Sequence, residues 1–209
     1  MQKSNNDFEK YKIPETTKEL LLMMMEKMHK ILTENNIKYF VEGGSILGAI
    51  RHSGIIPWDD DIDLGIFDKD FEKVVPLFLK QLWDEKIQIK VQRSSADMIK
   101  VFISDLWFKN TETGQIIGTP TIDIFRYTKG NNCIKLASLK ERQRFKNCYY
   151  LKTELFPLKE YKFNNIVVMG ANNPLPFLYR YYGKDCLTNY KVDVRKEDGQ
   201  NKDRNAIQN

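Results

Sequence analysis

The stretch GGSILGAIRHSGIIPWDDDIDLGI, residues 43 to 66, decides the fold of this chain. In its second half Asp61 and Asp63 stand two residues apart, and the apolar residues Ile62 and Leu64 fill the alternate positions. An alternation of period two predicts a strand with one buried face, so both carboxylates point away from the core on the same side. Two carboxylates this close repel each other unless a cation lies between them. A hard divalent ion such as Mg2+ takes oxygen ligands of this kind.

The first half of the same stretch predicts a phosphate site. Gly43, Gly44 and Ser45 form a turn that opens a short helix over residues 45 to 52. The start of a helix presents free backbone N–H groups and the positive end of the helix dipole, which together suit a phosphate group. A phosphate cradle beside metal-binding carboxylates is the equipment of phosphoryl or nucleotidyl transfer.

Two other interpretations of the acidic run remain open. A short run of aspartates is often a solvated acidic turn. A calcium loop shares the spacing of Asp59, Asp61 and Asp63. The EF-hand loop, however, needs glycine at its sixth position, where this chain has Leu64, and Glu at its twelfth position, where this chain has none. The joint pattern of glycines, serine and spaced carboxylates favours a metal-assisted phosphate site.

The run EGGSILGAIRHSGIIPWDDDIDLGI resembles the signature of the LicD and fukutin-related family, which belongs to the nucleotidyltransferase fold. The mark of that fold is Gly-Ser on a first strand–helix turn, followed by Asp-x-Asp on the next strand. Gly44-Ser45 and Asp61-Ile62-Asp63 match these two elements, and Asp123 in the sequence TIDIF matches the third carboxylate of the fold. With weaker later landmarks, the last of them Tyr182-Gly183, the resemblance covers roughly residues 17 to 190.

The resemblance implies a role for each matched residue. Asp61, Asp63 and Asp123 would be the catalytic residues and the ligands of Mg2+ or Mn2+. Asp123 is also the first candidate for the general base, and its alternative is an exposed aspartate at a strand edge. Gly43, Gly44 and Ser45 would bind the phosphates of the substrate.

Four further residues are candidates for substrate binding, each with a structural alternative. Arg51 forks onto a phosphate or pairs with a neighbouring aspartate. His52 acts as a base or makes a structural hydrogen bond. Trp58 stacks on a nucleotide base or packs beneath its loop. Lys100, in the apolar run 98 to 102, reaches a phosphate or lies on an exposed face.

The resemblance implies an enzyme that moves a phosphocholine-like or alditol-phosphate-like group from a CDP-linked donor to a sugar hydroxyl of a glycan or glycoconjugate and releases CMP. One alternative is a nucleotidyltransferase that moves NMP from an NTP to a small molecule. A second is a non-catalytic nucleotide-binding or glycan-binding module. A third is a basic nucleic-acid-binding protein.

Composition and charge bound the class of protein. The chain has 209 residues, of which 42% are hydrophobic and 29% charged, so one globular domain is expected. The formal net charge is +5, and residues 126 to 162 alone carry ten lysines or arginines against three glutamates, a net charge of +7. Such a surface attracts a phosphate-rich donor, or it is a solvated basic face. No helix-turn-helix, zinc-finger or RNP-type pattern accompanies it, so no nucleic-acid partner is expected.

The cysteines and the hydrophobic segments bear on location. Cys133, Cys148 and Cys186 are an odd set at wide spacings and resemble neither a disulfide framework nor a zinc site, which favours free thiols in a reducing compartment. The polar start MQKSNNDFEKYK is not a signal peptide, and no segment approaches the roughly 20 apolar residues that span a bilayer. A cytoplasmic protein without membrane insertion is therefore expected.

The expected fold is α+β: a nucleotidyltransferase-like mixed sheet flanked by helices, with a helical C-terminal part. A polar segment 1–15 precedes a single domain over 16–194, and a disordered tail follows over 195–209. Because the chain is short for the family, a homo-oligomer or another partner that completes the acceptor site is left open. Leu21, Met24, Met25, Met28 and Leu32 predict the buried stripe of a first helix. The predicted strands are 37–42, 61–67, 87–92, 98–104 and 121–127, with a hairpin over 161–169. A helix is predicted over 68–82, and Pro76 is expected either to kink it or to delay its start.

Overall fold

The structure is a computed structural model that describes residues 12–82, 89–95, 97–103, 108–109, 116–118 and 120–189. The predicted segment 1–15 lies mostly outside these residues, and the predicted tail 195–209 lies outside them entirely. In chain order the elements are α1 (Glu15–Glu34), β1 (Tyr39–Val41), α2 (Gly43–His52), β2 (Asp61–Phe67), α3 (Asp68–Gln81), β3 (Ile89–Ser95), β4 (Met98–Ile103), β5 (Phe108–Lys109), β6 (Ile116–Gly118), β7 (Thr121–Lys129), β8 (Cys133–Leu136), α4 (Leu139–Arg144), β9 (Tyr149–Leu151), α5 (Lys152–Leu155), β10 (Lys159–Phe163), β11 (Ile166–Gly170) and α6 (Leu175–Tyr182).

The centre of the molecule is a mixed sheet with strand order β1-β2-β7-β4-β3. Strands β2 and β7 run parallel, and the other neighbours in this order run antiparallel. Beyond the main order, β8 pairs with the end of β7 and with β9. Helices α1 and α3 pack against β2 and β7. The predicted α+β class is therefore confirmed.

The register of the central strands sets the position of the site. Asp63 of β2 is the direct partner of Asp123 of β7, and Asp123 in turn faces Lys100 of β4. Residues paired directly across neighbouring strands project to the same face of the sheet. Three charged side chains from three adjacent strands therefore form one row across the sheet.

The opposite face of these strands is the hydrophobic core. Ile62 and Leu64 of β2 and Ile122 and Ile124 of β7 are fully buried, as their alternation with the aspartates predicts. Fully burying one such side chain contributes roughly 1.5–3 kcal/mol. The predicted stripe of α1 is confirmed, because all five of its members are fully buried: Leu21, Met24, Met25, Met28 and Leu32.

Two helices differ from their predicted bounds. Helix α2 begins at Gly43, two residues earlier than predicted, so the glycine pair is the first turn of the helix rather than a loop before it. Helix α3 begins directly after β2 at Asp68, and Pro76 stands inside it. The expected delay at Pro76 is therefore wrong. Phe71, Val74 and Phe78 of this helix are fully buried, and this packing outweighs the backbone hydrogen bond that proline cannot donate.

Candidate active site

Three carboxylates converge on the shared face of β2 and β7. One oxygen from each of Asp61, Asp63 and Asp123 lies within 4.8 Å of the other two. Asp123 is only 8% exposed, and β7 is an internal strand between β2 and β4. Asp123 is therefore not an exposed residue of a strand edge, which was the alternative that its sequence context left open.

The first turn of α2 lies directly against these carboxylates. A Cβ atom placed on Gly43 would lie 2.9 Å from Oδ2 of Asp63, and one placed on Gly44 would lie 2.7 Å from Oδ2 of Asp59. Gly43 also has a positive φ of 53°, a conformation in which side chains are strained. Glycine at both positions is what lets two carboxylates contact the start of a helix.

Ser45 connects the start of α2 to strand β2, which carries Asp61 and Asp63. Its buried Oγ accepts a hydrogen bond of 2.8 Å from the backbone N–H of Asp63, and the N–H of Glu42 donates to the carbonyl of Asp63 at 3.0 Å. The N–H of Ser45 donates to the carbonyl of Glu42. The N–H groups of Gly43 and Gly44 have no acceptor among the residues that the structure describes. These two amides are therefore available to an anion.

Lys100 occupies the third position of the charged row. Its Nζ lies 2.7 Å from Oδ1 and 2.6 Å from Oδ2 of Asp123, so the ammonium binds both oxygens of this carboxylate. The Lys100 side chain is 38% exposed, whereas that of Asp123 is 11% exposed. Lys100 therefore lies beside the carboxylates with its side chain partly exposed, and a contact from Lys100 to a phosphate stays a prediction.

The electrostatics of the cluster are dominated by negative charge. Burial raises the pKa of Asp63 well above its ordinary value, and the neighbouring carboxylates of Asp61, Glu42, Asp123 and Asp59 raise it further, in that order. Each of these effects makes a negative charge on Asp63 unfavourable. A cation among the carboxylates would relieve this cost.

Glu42 is a site neighbour that the sequence analysis did not single out. It is only 3% exposed, and its Oε2 accepts a short hydrogen bond from the hydroxyl of Tyr127 and lies 3.6 Å from Sγ of Cys148. Burial raises the pKa of Glu42 to about 7. A carboxylate that follows the buried strand β1 directly, one residue before a glycine turn, was the available sequence signal.

Arg51, His52 and Trp58 form a second cluster at the other end of α2. Nε of Arg51 donates to Nε2 of His52 at 2.9 Å, and the rings of His52 and Trp58 meet edge to face at 6.1 Å between centroids. Nη1 of Arg51 donates to the carbonyl of Cys186 at 2.8 Å. Burial and the charge of Arg51 lower the pKa of His52 to about 4. For His52 and Trp58 the structure therefore shows hydrogen bonding and packing, while a role of all three in substrate binding stays a prediction.

Two further predictions bear on other classes of site. Cys133, Cys148 and Cys186 are free thiols, as predicted. In the described part of the chain, each group of three or more potential metal ligands consists of aspartates. One such group is Asp61, Asp63 and Asp123, and the other is Asp59, Asp60 and Asp61. Among the described residues, no helix combines the length and the apolar character needed to cross a membrane.

Comparison with known proteins places these residues in a family. The family model described as LicD/FKTN/FKRP, nucleotidyltransferase domain, matches residues 36–173 of this chain. An uncharacterized protein of Rickettsia typhi is 34% identical over 182 residues, which are 86% of this chain and 50% of that protein. This chain thus spans about half the length of that relative.

Two relatives with a named activity match shorter parts of the chain. The lipopolysaccharide cholinephosphotransferase LicD of Haemophilus influenzae is 29% identical over 85 residues, which are 39% of this chain and 32% of that protein. The ribitol 5-phosphate transferase FKRP of Mus musculus is 55% identical over 40 residues, which are 19% of this chain and 8% of that protein. A crystal structure of ANT(2″)-Ia in complex with adenylyl-2″-tobramycin aligns with a TM-score of 0.46 and 12% identity, over 73% of this chain and 69% of that chain.

Proposed function

This chain belongs to the LicD/FKTN/FKRP nucleotidyltransferase-domain family, and on that premise we propose that it is a metal-dependent phosphotransferase. It moves a phospho-alcohol from a CDP-linked donor to a sugar hydroxyl of a glycan or glycoconjugate and releases CMP. The observation that carries this proposal is the convergence of Asp61, Asp63 and Asp123 beside the start of α2. Carboxylates and free amides together suit an anionic donor that binds with a cation.

Asp61, Asp63 and Asp123 would hold the metal ion. Their oxygens lie within 4.8 Å of one another, and hard divalent cations prefer carboxylate oxygens, so the donor set fits Mg2+ or Mn2+. The raised pKa of Asp63 supports this fit, because a site that resists its own ionisation gains from a cation. When bound, such an ion would neutralise charge that builds up on the diphosphate during transfer.

The residues of the first turn of α2 would hold the donor. The amides of Gly43 and Gly44 would donate to a phosphate oxygen beside the carboxylates, and the absence of side chains would let the phosphate approach the backbone. The hydroxyl of Ser45 already accepts from Asp63 and keeps its own proton to donate. Holding the diphosphate in one orientation is a large part of catalysis in phosphoryl transfer.

Asp123 would act as the general base. The acceptor hydroxyl oxygen attacks the phosphorus atom that bears the alcohol group, and the bond between that phosphorus and the bridging oxygen of CMP breaks. The hydroxyl proton moves to the carboxylate of Asp123, and CMP leaves with the bridging oxygen. Lys100, which binds both oxygens of Asp123, would orient this carboxylate and would contact the phosphate as the proton is taken up.

The names of two relatives support the proposed transferred group. One is a cholinephosphotransferase and the other a ribitol 5-phosphate transferase, and both activities move a phosphorylated alcohol. We therefore assign phosphocholine-like and alditol-phosphate-like groups as the substrate class of this chain. A homo-oligomer and a cytoplasmic location are further parts of this proposal.

The direct test is incubation of the purified protein with Mg2+ and a panel of CDP-alcohols, with and without sugar acceptors. We expect CMP release, measured by chromatography, that depends on the divalent ion and is suppressed by a chelator. Inertness across the whole panel, at protein concentrations that bind Mn2+, would count against the proposal.

A nucleotidyltransferase is the second candidate, because the family is described by a nucleotidyltransferase domain. It would move NMP from an NTP to a small molecule, so pyrophosphate rather than CMP would accumulate. Incubation with each NTP in place of the CDP-alcohols separates the two reactions. A non-catalytic binding module would instead bind CDP tightly with the metal and release neither product.

A further inference from the structure

The last residue of α6 lies at the candidate active site although it is remote from it in sequence. The hydroxyl of Tyr182 is 3.6 Å from the position of a Cβ atom on Gly43, and Oδ2 of Asp63 is 2.9 Å from the same position. The hydroxyl and the carboxylate therefore flank one point at the start of α2. Tyr182 also lies outside residues 36–173, the part that the family model matches.

The ring of Tyr182 is held in place by an aromatic stack. It meets the ring of Tyr181 edge to face at 4.6 Å between centroids, and Tyr181 stacks on Phe177 at 5.6 Å. Phe177 is fully buried and stacks on Tyr150 at 4.1 Å. Such aromatic pairs stabilise beyond their buried area, so the Tyr182 ring is supported by packed neighbours.

The segment after α6 is tied back to α2. Gly183 ends the helix with a φ of 100°, which turns the chain, and Cys186 is buried. Arg51, near the C-terminal end of α2, donates to the carbonyl of Cys186 at 2.8 Å. Helix α2 therefore contacts Tyr182 at its N-terminal end and holds the segment after Tyr182 at its C-terminal end.

The hydroxyl of Tyr182 has no hydrogen-bond partner among the residues that the structure describes. Tyr182 is partly buried, so its hydroxyl is accessible to a molecule that binds in the site. A phenol keeps its proton at neutral pH, so this hydroxyl can donate a hydrogen bond. A donor without an acceptor, beside free glycine amides, is arranged for an oxygen of a bound molecule.

We propose that Tyr182 is a substrate-binding residue whose hydroxyl donates a hydrogen bond to a phosphate oxygen of the diphosphate held at Gly43 and Gly44. The identity of the diphosphate as that of a CDP-linked donor rests on the function proposed above. The contact to a phosphate oxygen does not depend on the nucleoside.

The test is isothermal calorimetry, in which inorganic pyrophosphate is titrated into the protein in the presence of Mg2+. Pyrophosphate affinity is measured in this way for the wild type, Tyr182→Phe and Tyr179→Phe. The first substitution removes the hydroxyl and keeps the ring. Tyr179 lies on the same helix with 38% exposure and serves as the matched control. We expect pyrophosphate affinity to fall about tenfold in Tyr182→Phe, the loss of one hydrogen bond to a charged group, and to stay unchanged in Tyr179→Phe.

Two further readouts separate binding from a structural role. Thermal unfolding and Mn2+ affinity without pyrophosphate should be the same for Tyr182→Phe and the wild type. Equal pyrophosphate affinity of both proteins, or no pyrophosphate binding by the wild type, would overturn the assignment of Tyr182. A tenfold loss in pyrophosphate affinity with no CMP release from any CDP-alcohol would sustain this assignment and reject the proposed function instead.

Discussion

At its N-terminal end, helix α2 places Gly43 and Gly44 against the carboxylates of Asp63 and Asp59, whereas at its C-terminal end Arg51 binds the carbonyl of Cys186. Both ends belong to one continuous motif, and both were predicted to contact substrate. A helix rises 1.5 Å per residue, so eight residues separate the two ends by about 12 Å. Neighbours in a motif are therefore not neighbours in space, and the two ends have different partners.

The polarity of the helix explains the division of labour between its ends. Free N–H groups and the positive end of the dipole are at the glycine end, where an anion is stabilised. Carbonyl groups and the negative end are at the Arg51 end, where a cation is stabilised without any ligand. Basic residues in the last turn therefore have a structural reason to be there. The predictions below test whether chemistry is confined to the glycine end.

The largest effect is expected for Asp63→Asn. We expect CMP release to fall by about 1,000-fold or more, because a lost ligand removes several kcal/mol of transition-state stabilisation. Thermal stability without metal should not fall, since the substitution also removes a buried charge whose pKa is raised. Steady-state assays and thermal unfolding measure the two quantities.

Asp97→Asn is the matched control for this substitution. Its carboxylate lies 3.7 Å from Nη1 of Arg126 in a surface ion pair, so a loss of at most about 1 kcal/mol of stability is expected. Activity should be unchanged. If Asp63→Asn kept more than a tenth of the wild-type rate, the carboxylate cluster would not be the catalytic centre.

The next effect concerns the buried support beneath the glycine end. The pKa of Glu42 rises from 4.5 to about 7 on folding because the carboxyl group is buried. An acid with a raised pKa in the folded state stabilises the protein below its unfolded pKa, and this contribution is lost as pH rises through the folded pKa. The free energy of unfolding should therefore fall by about 3 kcal/mol between about pH 4.5 and pH 7.

Glu42→Gln isolates this contribution, because an amide cannot ionise and can still accept from Tyr127. Urea denaturation from pH 4 to pH 8 should show a flatter stability profile for Glu42→Gln than for the wild type. Parallel profiles for the two proteins would show that Glu42 does not titrate in this range.

A smaller effect is expected at the opposite end of α2. Arg51→Met should lower the free energy of unfolding by about 2 kcal/mol, since the carbonyl of Cys186 loses a charged donor. Urea denaturation measures this loss. Mn2+ affinity, measured by calorimetry without nucleotide, should stay within twofold of the wild type. Unchanged stability of Arg51→Met together with a weaker affinity for pyrophosphate would instead show that Arg51 binds phosphate.

The residues of the glycine end could be predicted from the sequence because local spacing determines them. The period-two pattern predicted the shared face of Asp61 and Asp63, and the glycine pair predicted a nearby helix start, which the structure places at Gly43. The role of this helix start in phosphate binding stays a prediction. The pairing of Asp123 with Asp63 came from a family resemblance, since no local pattern states which strands are neighbours. Tyr182 appeared only as a family landmark, because its position depends on how α6 packs.

The same limit applies to the fold. The central strands and α1 have strong periodic patterns and were predicted, with errors of a few residues at their ends. Strands β8 and β9 were not predicted: they have four and three residues, and pairing with the end of β7 is what holds them. Arg51 was ambiguous for a similar reason, because its partner Cys186 lies 135 residues away in the sequence.

The smallest effect should come from Lys100, which lies at the glycine end but is partly solvated. Lys100→Met removes a positive charge that lies 2.6 Å from Asp123 and that would compete with the proposed metal ion for the same oxygens. Charges about 4 Å apart in a solvated site repel by about 1 kcal/mol, so Mn2+ affinity should rise about fivefold. Stability without metal should fall slightly, because Asp123 loses its ion pair. Lys100→Arg keeps the charge and should bind Mn2+ like the wild type. If Lys100→Met also bound Mn2+ like the wild type, Lys100 would not compete with the cation. The contact between Lys100 and Asp123 would then be a structural ion pair rather than part of the active site.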